Sequence, residues 1–251
     1  VQTCALPILC ATNTAWIEAM AYRYAIYFCP ENTALARFGA RVLGVDVHRA
    51  AAPVDQFDLN ALSRQEFATL TEKARGYGFH ATLKAPFRLA QGQTENALIA
   101  AFQAFCASAE AATLPQTSVQ NLHGFLAIMP AYQPESLQVL ERDIVTYFEA
   151  FRAPLNEEER ARRQPDRLSE RQCAYLDQLG YPFVFEEFRF HMTLSARLTS
   201  SLSGMALHAE LQDLYERLVA QPDQAIDSLT LAIQDHPNAL FHALTSCKLA
   251  P

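Results

Sequence analysis

Apolar positions recur along the chain at two spacings, and these sort its segments into strands and helices. Residues 24–28 are a short apolar-aromatic run stopped by Pro30, which predicts a first strand. Residues 33–43 place Leu35, Phe38 and Val42 at helical spacing, 62–74 form a second helix with Leu70 on its inner face, and 95–109 are alanine-rich and helical. Strands are predicted over 76–89 and over 125–129, the latter bounded by Gly124 and Pro130. Residues 134–151 return to helix, with Leu137, Leu140, Ile144 and Phe148 along one side. The stretch 155–179 is dense in charge and interrupted by Pro165, which predicts a helical excursion of two short pieces (about 155–180), exposed on at least one face. A strand over 183–198, a helix over 207–220 and two strands over 228–234 and 241–249, joined by the turn DHPN, complete the series. Two βα-rich halves result, each holding one H-x-T strand, a duplication at the level of pattern.

Side chains two apart share a face of a strand. His80, Thr82 and Lys84 therefore line one side of the first motif strand, with Phe79, Leu83 and Ala85 opposite. Arg189, His191, Thr193 and Ser195 line one side of the second, with Phe190, Met192 and Leu194 opposite. Two such rows facing each other would make a cleft with two imidazoles, two hydroxyls and flanking cations. Phosphodiester cleavage needs a base for the attacking oxygen and an acid for the leaving one, and imidazole can serve as either near neutral pH. Threonine hydroxyls can hold the non-bridging oxygens, and a Lys or Arg adds charge-assisted contacts. With 7 histidines and threonine at roughly 6% of positions, roughly 0.4 H-x-T triplets arise by chance. Two, each followed by leucine within an alternating strand, therefore favour catalysis over isolated structural histidines.

Composition narrows this further. The 251 residues are 50% hydrophobic and 19% charged, ordinary values for a globular protein with a sizeable core. A net charge of -7 argues against an extended nucleic-acid surface, though a few local cations can still serve a small phosphate pocket. The six cysteines, Cys4, Cys10, Cys29, Cys106, Cys173 and Cys247, form no C-x-x-C pair and read as inert thiols of a reducing cytoplasm. No apolar run has the length of a membrane span. Residues 1–19 are an odd prefix that gives way at Met20, and the natural chain is expected to start there, with one domain over 20–251. His123, His236 and His242 lack metal-ligand spacing, and neither a G-x-x-x-x-G-K-[ST] nor a G-x-G-x-x-G element occurs.

HATL and HMTL resemble the paired H-x-[ST]-hydrophobic motifs of the two-histidine (2H) phosphoesterase superfamily, which includes RNA 2′,3′-cyclic phosphodiesterases and LigT-like enzymes. The segments GFHATLKAPF, RAPLNEEERARR and EEFRFHMTLS resemble more specifically a branch associated with bacterial phosphonate-utilisation operons. The resemblance covers residues 22–249. It implies a bilobal, duplicated α+β fold, with antiparallel sheets facing each other across a central cleft and helices outside. It implies no metal or other cofactor, His80 and His191 as the acid/base pair, and Thr82 and Thr193 as phosphate-oxygen donors. Which histidine is the base stays open. Strand alternation adds Lys84 and Arg189 as substrate contacts, with structural salt bridges the equal alternative. Tyr77 is an aromatic at the cleft mouth or a packing residue, and Arg162 and Arg163 are cations able to fold over a phosphate or simply exposed. The expected protein is a cytoplasmic monomer that opens a small cyclic phosphodiester, such as a ribose cyclic phosphate, without nucleic-acid or membrane partners. RNA end processing and a non-catalytic module binding a phosphorylated ligand are the alternatives.

Overall fold

The computed structural model describes residues 23–60, 62–198, 202–221 and 223–250; the expected prefix, with Cys4 and Cys10, lies outside them. The first strand, β1 (Arg23–Phe28), buries both its faces. Tyr24, Ile26 and Phe28 enter the main core, while Ala25 and Tyr27 join a small second cluster with Cys29, Val47, Ala232 and Phe241. That division organises the molecule: one side of the sheet carries helices, the other a compact apolar floor.

The helices form where capping chemistry and apolar spacing coincide. In α1 (Ala34–Leu43) the Thr33 side chain accepts from the Ala36 N–H, and Gly44 closes the C-terminus at φ 74°, a conformation glycine adopts without strain. A ribbon of β2 (Val45–Asp46) and β3 (Ala52–Pro53) leads to α2 (Arg64–Arg75), which starts with a reciprocal Ser63–Glu66 capping box. Next come β4 (Ala81–Phe87), α3 (Glu95–Cys106), β5 (Ala112–Leu114), β6 (Ser118–Leu122) and β7 (Phe125–Met129). A helix α4 (Glu135–Tyr147) runs into a 3₁₀ turn at Phe148–Phe151. The charged excursion is two pieces as expected, α5 (Glu157–Arg162) and α6 (Glu170–Leu179). The chain ends with β8 (Met192–Thr193), α7 (Leu202–Val219), β9 (Gln224–Ile226), β10 (Ser228–Gln234) and β11 (His242–Lys248). Among the described residues the fold is thus mixed α+β with seven α-helices, none long and apolar enough to cross a membrane.

The sheet departs from the expected pair of facing sheets. Seven strands form one sheet in the order β11-β10-β1-β4-β8-β7-β6, antiparallel throughout, so the two motif strands are direct neighbours. The second motif strand is also far shorter than 183–198. Gln133 donates to the Phe188 carbonyl at 3.0 Å and accepts from the Phe190 N–H, while Ser195 Oγ takes the Leu126 N–H at 3.0 Å. Side chains thereby satisfy backbone groups that a longer ladder would have used, and two residues of strand remain.

Candidate active site

His80 immediately precedes β4, and His191 immediately precedes β8. Each imidazole is held by the carbonyl two residues upstream: His80 Nδ1 lies 3.0 Å from Gly78 O, and His191 Nδ1 lies 2.7 Å from Arg189 O. A carbonyl only accepts, so Nδ1 carries the proton in both rings and Nε2 is left as the acceptor. Gly78 reaches this position at φ +68°, and a Cβ there would come within 3.0 Å of Val47 Cβ. Phe79 is seated against α1 at Gly39, where a Cβ would lie 1.9 Å from the Phe79 ring. The strand entrance carrying His80 is therefore anchored on both sides.

The register crosses the motifs. Ala81 pairs with Met192, and continuing that antiparallel pairing one step each way sets His80 opposite Thr193 and Thr82 opposite His191. Each histidine thus faces the threonine of the other motif. The two histidines become diagonal neighbours, a spacing of roughly 7–8 Å between such positions, suited to one phosphate group between the rings. The Thr82 hydroxyl lies 3.1 Å from His80 Nε2 and donates to it.

Both imidazoles are biased toward the neutral form. Burial pushes His80 down to about 4, opposed by the Gly78 carbonyl and reinforced by the nearby His191. Burial also lowers His191, opposed by the Arg189 carbonyl. Aromatic rings line the surroundings. The Tyr27 ring is 4.0 Å from that of His80, Tyr77 is 6.0 Å away, and Phe125 meets His191 edge-on at 5.8 Å. Tyr77 stacks on Phe241 at 5.5 Å yet stays 42% exposed, so one side of it is open to a ligand.

Two expected contacts lie elsewhere. Tyr27 pairs with Thr82 but Ile26 pairs with Lys84, so Leu83 is an extra residue and the strand bulges there. The bulge turns Lys84 to the helix-covered side, where Nζ donates to Val145 O and to Glu149 Oε2, both at 3.0 Å. Arg189 keeps the parity of His191, but its guanidinium donates to the carbonyls of Glu186 and Phe188 at 2.9 and 2.7 Å. Arg162 pairs with Glu158 on the surface of α5, whereas Arg163 lies over the Tyr181 ring at 5.0 Å. Ser195 is buried and holds backbone. Tyr27, Phe125, Tyr181 and Phe241 were missed as site neighbours. Residues 24–28 read as one apolar-aromatic run, so the sequence does not single out Tyr27. Among the described residues no group of three His, Cys, Asp or Glu side chains converges as a metal site, and His123, His236 and His242 join none.

The paired histidine–threonine motifs thus lie on neighbouring central strands of an α+β sheet. Residues 82–242 match the family described as "Protein of unknown function (DUF1045)", a match that includes Thr82, His191 and Thr193, and the chain belongs to that family. Over 223 residues it is 39% identical to "Ribose 1,5-bisphosphate phosphokinase PhnN" of Janthinobacterium sp. (strain Marseille), covering 87% of this chain and 49% of the relative. Over 228 residues it is 28% identical to the protein of that name from Laribacter hongkongensis (strain HLHK9), covering 87% of this chain and 50% of the relative. The chain spans about half the length of these curated relatives.

Proposed function

We propose that this chain is a phosphodiesterase of the two-histidine type that opens a small cyclic phosphodiester of a phosphorylated sugar. The crossed register carries the reading, because it gives a phosphate one imidazole and one hydroxyl from each motif. One histidine takes a proton from water as its oxygen bonds to phosphorus. The other, protonated, gives its proton to the sugar oxygen as the P–O bond breaks. The two threonine hydroxyls donate to the non-bridging oxygens, where charge builds up. Two rings held neutral suit the base role. The acid must gain a proton, and the negative charge of the bound phosphodiester favours that gain. Metal independence rests on the superfamily resemblance, as do the duplicated two-lobe organisation over residues 20–251 and a place in phosphonate metabolism. The sheet order, with β4 and β8 central and β1 and β7 flanking them, supports the duplicated organisation.

The relatives' name points to a phosphorylated ribose, which fits this substrate class, but also to phosphoryl transfer from a donor. This chain carries no G-x-x-x-x-G-K-[ST] loop of the kind that cradles nucleotide phosphates. We therefore assign the kinase activity to the part of those relatives that this chain does not span. An RNA substrate is disfavoured by the net charge of -7.

A screen of cyclic and linear phosphodiesters, including ribose cyclic phosphates and RNA ends, against wild type and the His80→Ala/His191→Ala double variant tests the reading. Turnover should be bell-shaped in pH and fall by roughly 10²–10⁴-fold when either histidine is lost. Undiminished turnover in either single variant, or binding without turnover that ignores the histidines, would sink it.

A further inference from the structure

We propose that the Tyr27 hydroxyl is a substrate-binding group that donates a hydrogen bond to a phosphoryl oxygen held between the two H-x-T motifs. The inference rests on the phosphodiester reading of the same site and adds a third donor, from a strand outside both motifs.

Tyr27 lies in the middle of β1, on the same face of the sheet as the motif side chains. It pairs directly with Thr82, and its ring sits 4.0 Å from that of His80. The residue is completely buried, at 0% exposure. Among the described residues, its hydroxyl is the buried side-chain polar atom left without a hydrogen-bond partner. Such orphans are rare in folded proteins, because a buried hydroxyl that bonds to nothing is destabilising while phenylalanine would fill nearly the same space. The ring that bears the orphan packs on the His80 imidazole, in the small cluster on the motif side of the sheet rather than in the helix-covered core.

The surroundings indicate what would satisfy it. Burial holds the phenol well above its ordinary pKa, with Tyr77, Cys29 and Tyr181 adding to the rise and Arg23 opposing it. The group therefore keeps its proton, and this O–H has no acceptor among the described residues to donate to. Arg23 lies on the same face, but its guanidinium donates to Gln234 Oε1 at 2.8 Å and cannot accept. His80 Nε2 is not within hydrogen-bond reach of the Tyr27 hydroxyl, and in the free site it accepts from Thr82, whose proton turns to the phosphoryl oxygen when substrate binds. An anionic oxygen brought in by substrate can accept from this O–H, and a phosphoryl group has oxygens to spare after meeting both threonines.

The test uses the full chain with inorganic phosphate as a binding probe and bis(4-nitrophenyl) phosphate as a turnover probe. Tyr27→Phe should weaken phosphate binding by about 10-fold or more, the range of one hydrogen bond to a charged group. It should lower kcat/KM by at least a similar factor and leave the melting temperature equal or higher, since an unsatisfied hydroxyl is removed. A second readout needs no variant: the ¹³Cζ resonance of Tyr27 in the wild type should move on adding phosphate. Phosphate affinity and kcat/KM within about 2-fold of wild type would overturn the proposal. So would a wild type that binds no phosphate, or a resonance that phosphate does not shift. If the double histidine variant retains full turnover, the phosphodiesterase reading fails, while the phosphate-binding comparison still decides the role of Tyr27.

Discussion

At the scale of single residues, the histidines and Glu141 bias the response of the fold to acid in opposite directions. His80 is held near 4 in the fold against 6.5 when unfolded. The unfolded chain thus takes up that proton first, and the stability His80 contributes is complete above 6.5 and lost as the pH falls toward 4. Glu141 is buried and raised from 4.5 to about 7, chiefly by desolvation, with the Phe185 N–H opposing. Its contribution is complete below 4.5 and lost as the pH rises toward 7. Between 4.5 and 6.5 the two slopes oppose each other at about 1.4 kcal/mol per pH unit each. Glu141→Gln, which still offers an oxygen to Phe185, should therefore make stability fall more steeply on acidification than in wild type. Urea unfolding at several pH values in that window checks this, and equal slopes would contradict it. The motif residues were legible because histidine and threonine two apart on a strand share a face whatever surrounds them. Tyr27 was not, because an orphaned hydroxyl is a property of the packed neighbourhood and β1 reads as a plain apolar run.

At the scale of elements, the bulge at Leu83 separates what sequence periodicity had joined. Lys84 becomes a buried cation between the Val145 carbonyl and Glu149, and Glu149 also pairs with Arg152 at 2.6 Å. Burial lowers the Lys84 pKa while Glu149 opposes the shift. Lys84→Met should therefore lower stability by about 2 kcal/mol, less than a fully isolated buried pair because Arg152 keeps Glu149 compensated. Its kcat and KM should stay within about 2-fold of wild type. A large loss of activity with unchanged stability would return Lys84 to the site. The capped helices were legible from Thr33, Ser63 and the apolar spacing, all local signals. The bulge was not, because its cause is the pairing of β1 with β4, residues more than fifty positions apart. The truncated second strand was hidden for a similar reason: Gln133 and Leu126, which end its ladder, lie some sixty residues upstream.

At the scale of the molecule, the alternation of the two motif strands foretold one core face and one chemical face, and residues 80–83 and 190–194 keep that division while Lys84 departs from it. It did not foretell that both motifs would share one sheet, since strand order depends on long-range pairing that periodicity leaves undetermined. The crossed register has a consequence for how activity can be divided. A chain cut in the exposed excursion near Gln164, between α5 and α6, leaves His80 and Thr82 on one piece and His191 and Thr193 on the other. Neither piece then carries both motif imidazoles, and each loses the cross-strand histidine–threonine pairing. The two fragments should be inert apart and regain turnover only when mixed, with a rate that rises with the concentration of the limiting partner until reassembly saturates. Appreciable activity in one purified fragment would mean that a single H-x-T strand suffices, and that the pairing of β4 with β8 serves the fold alone.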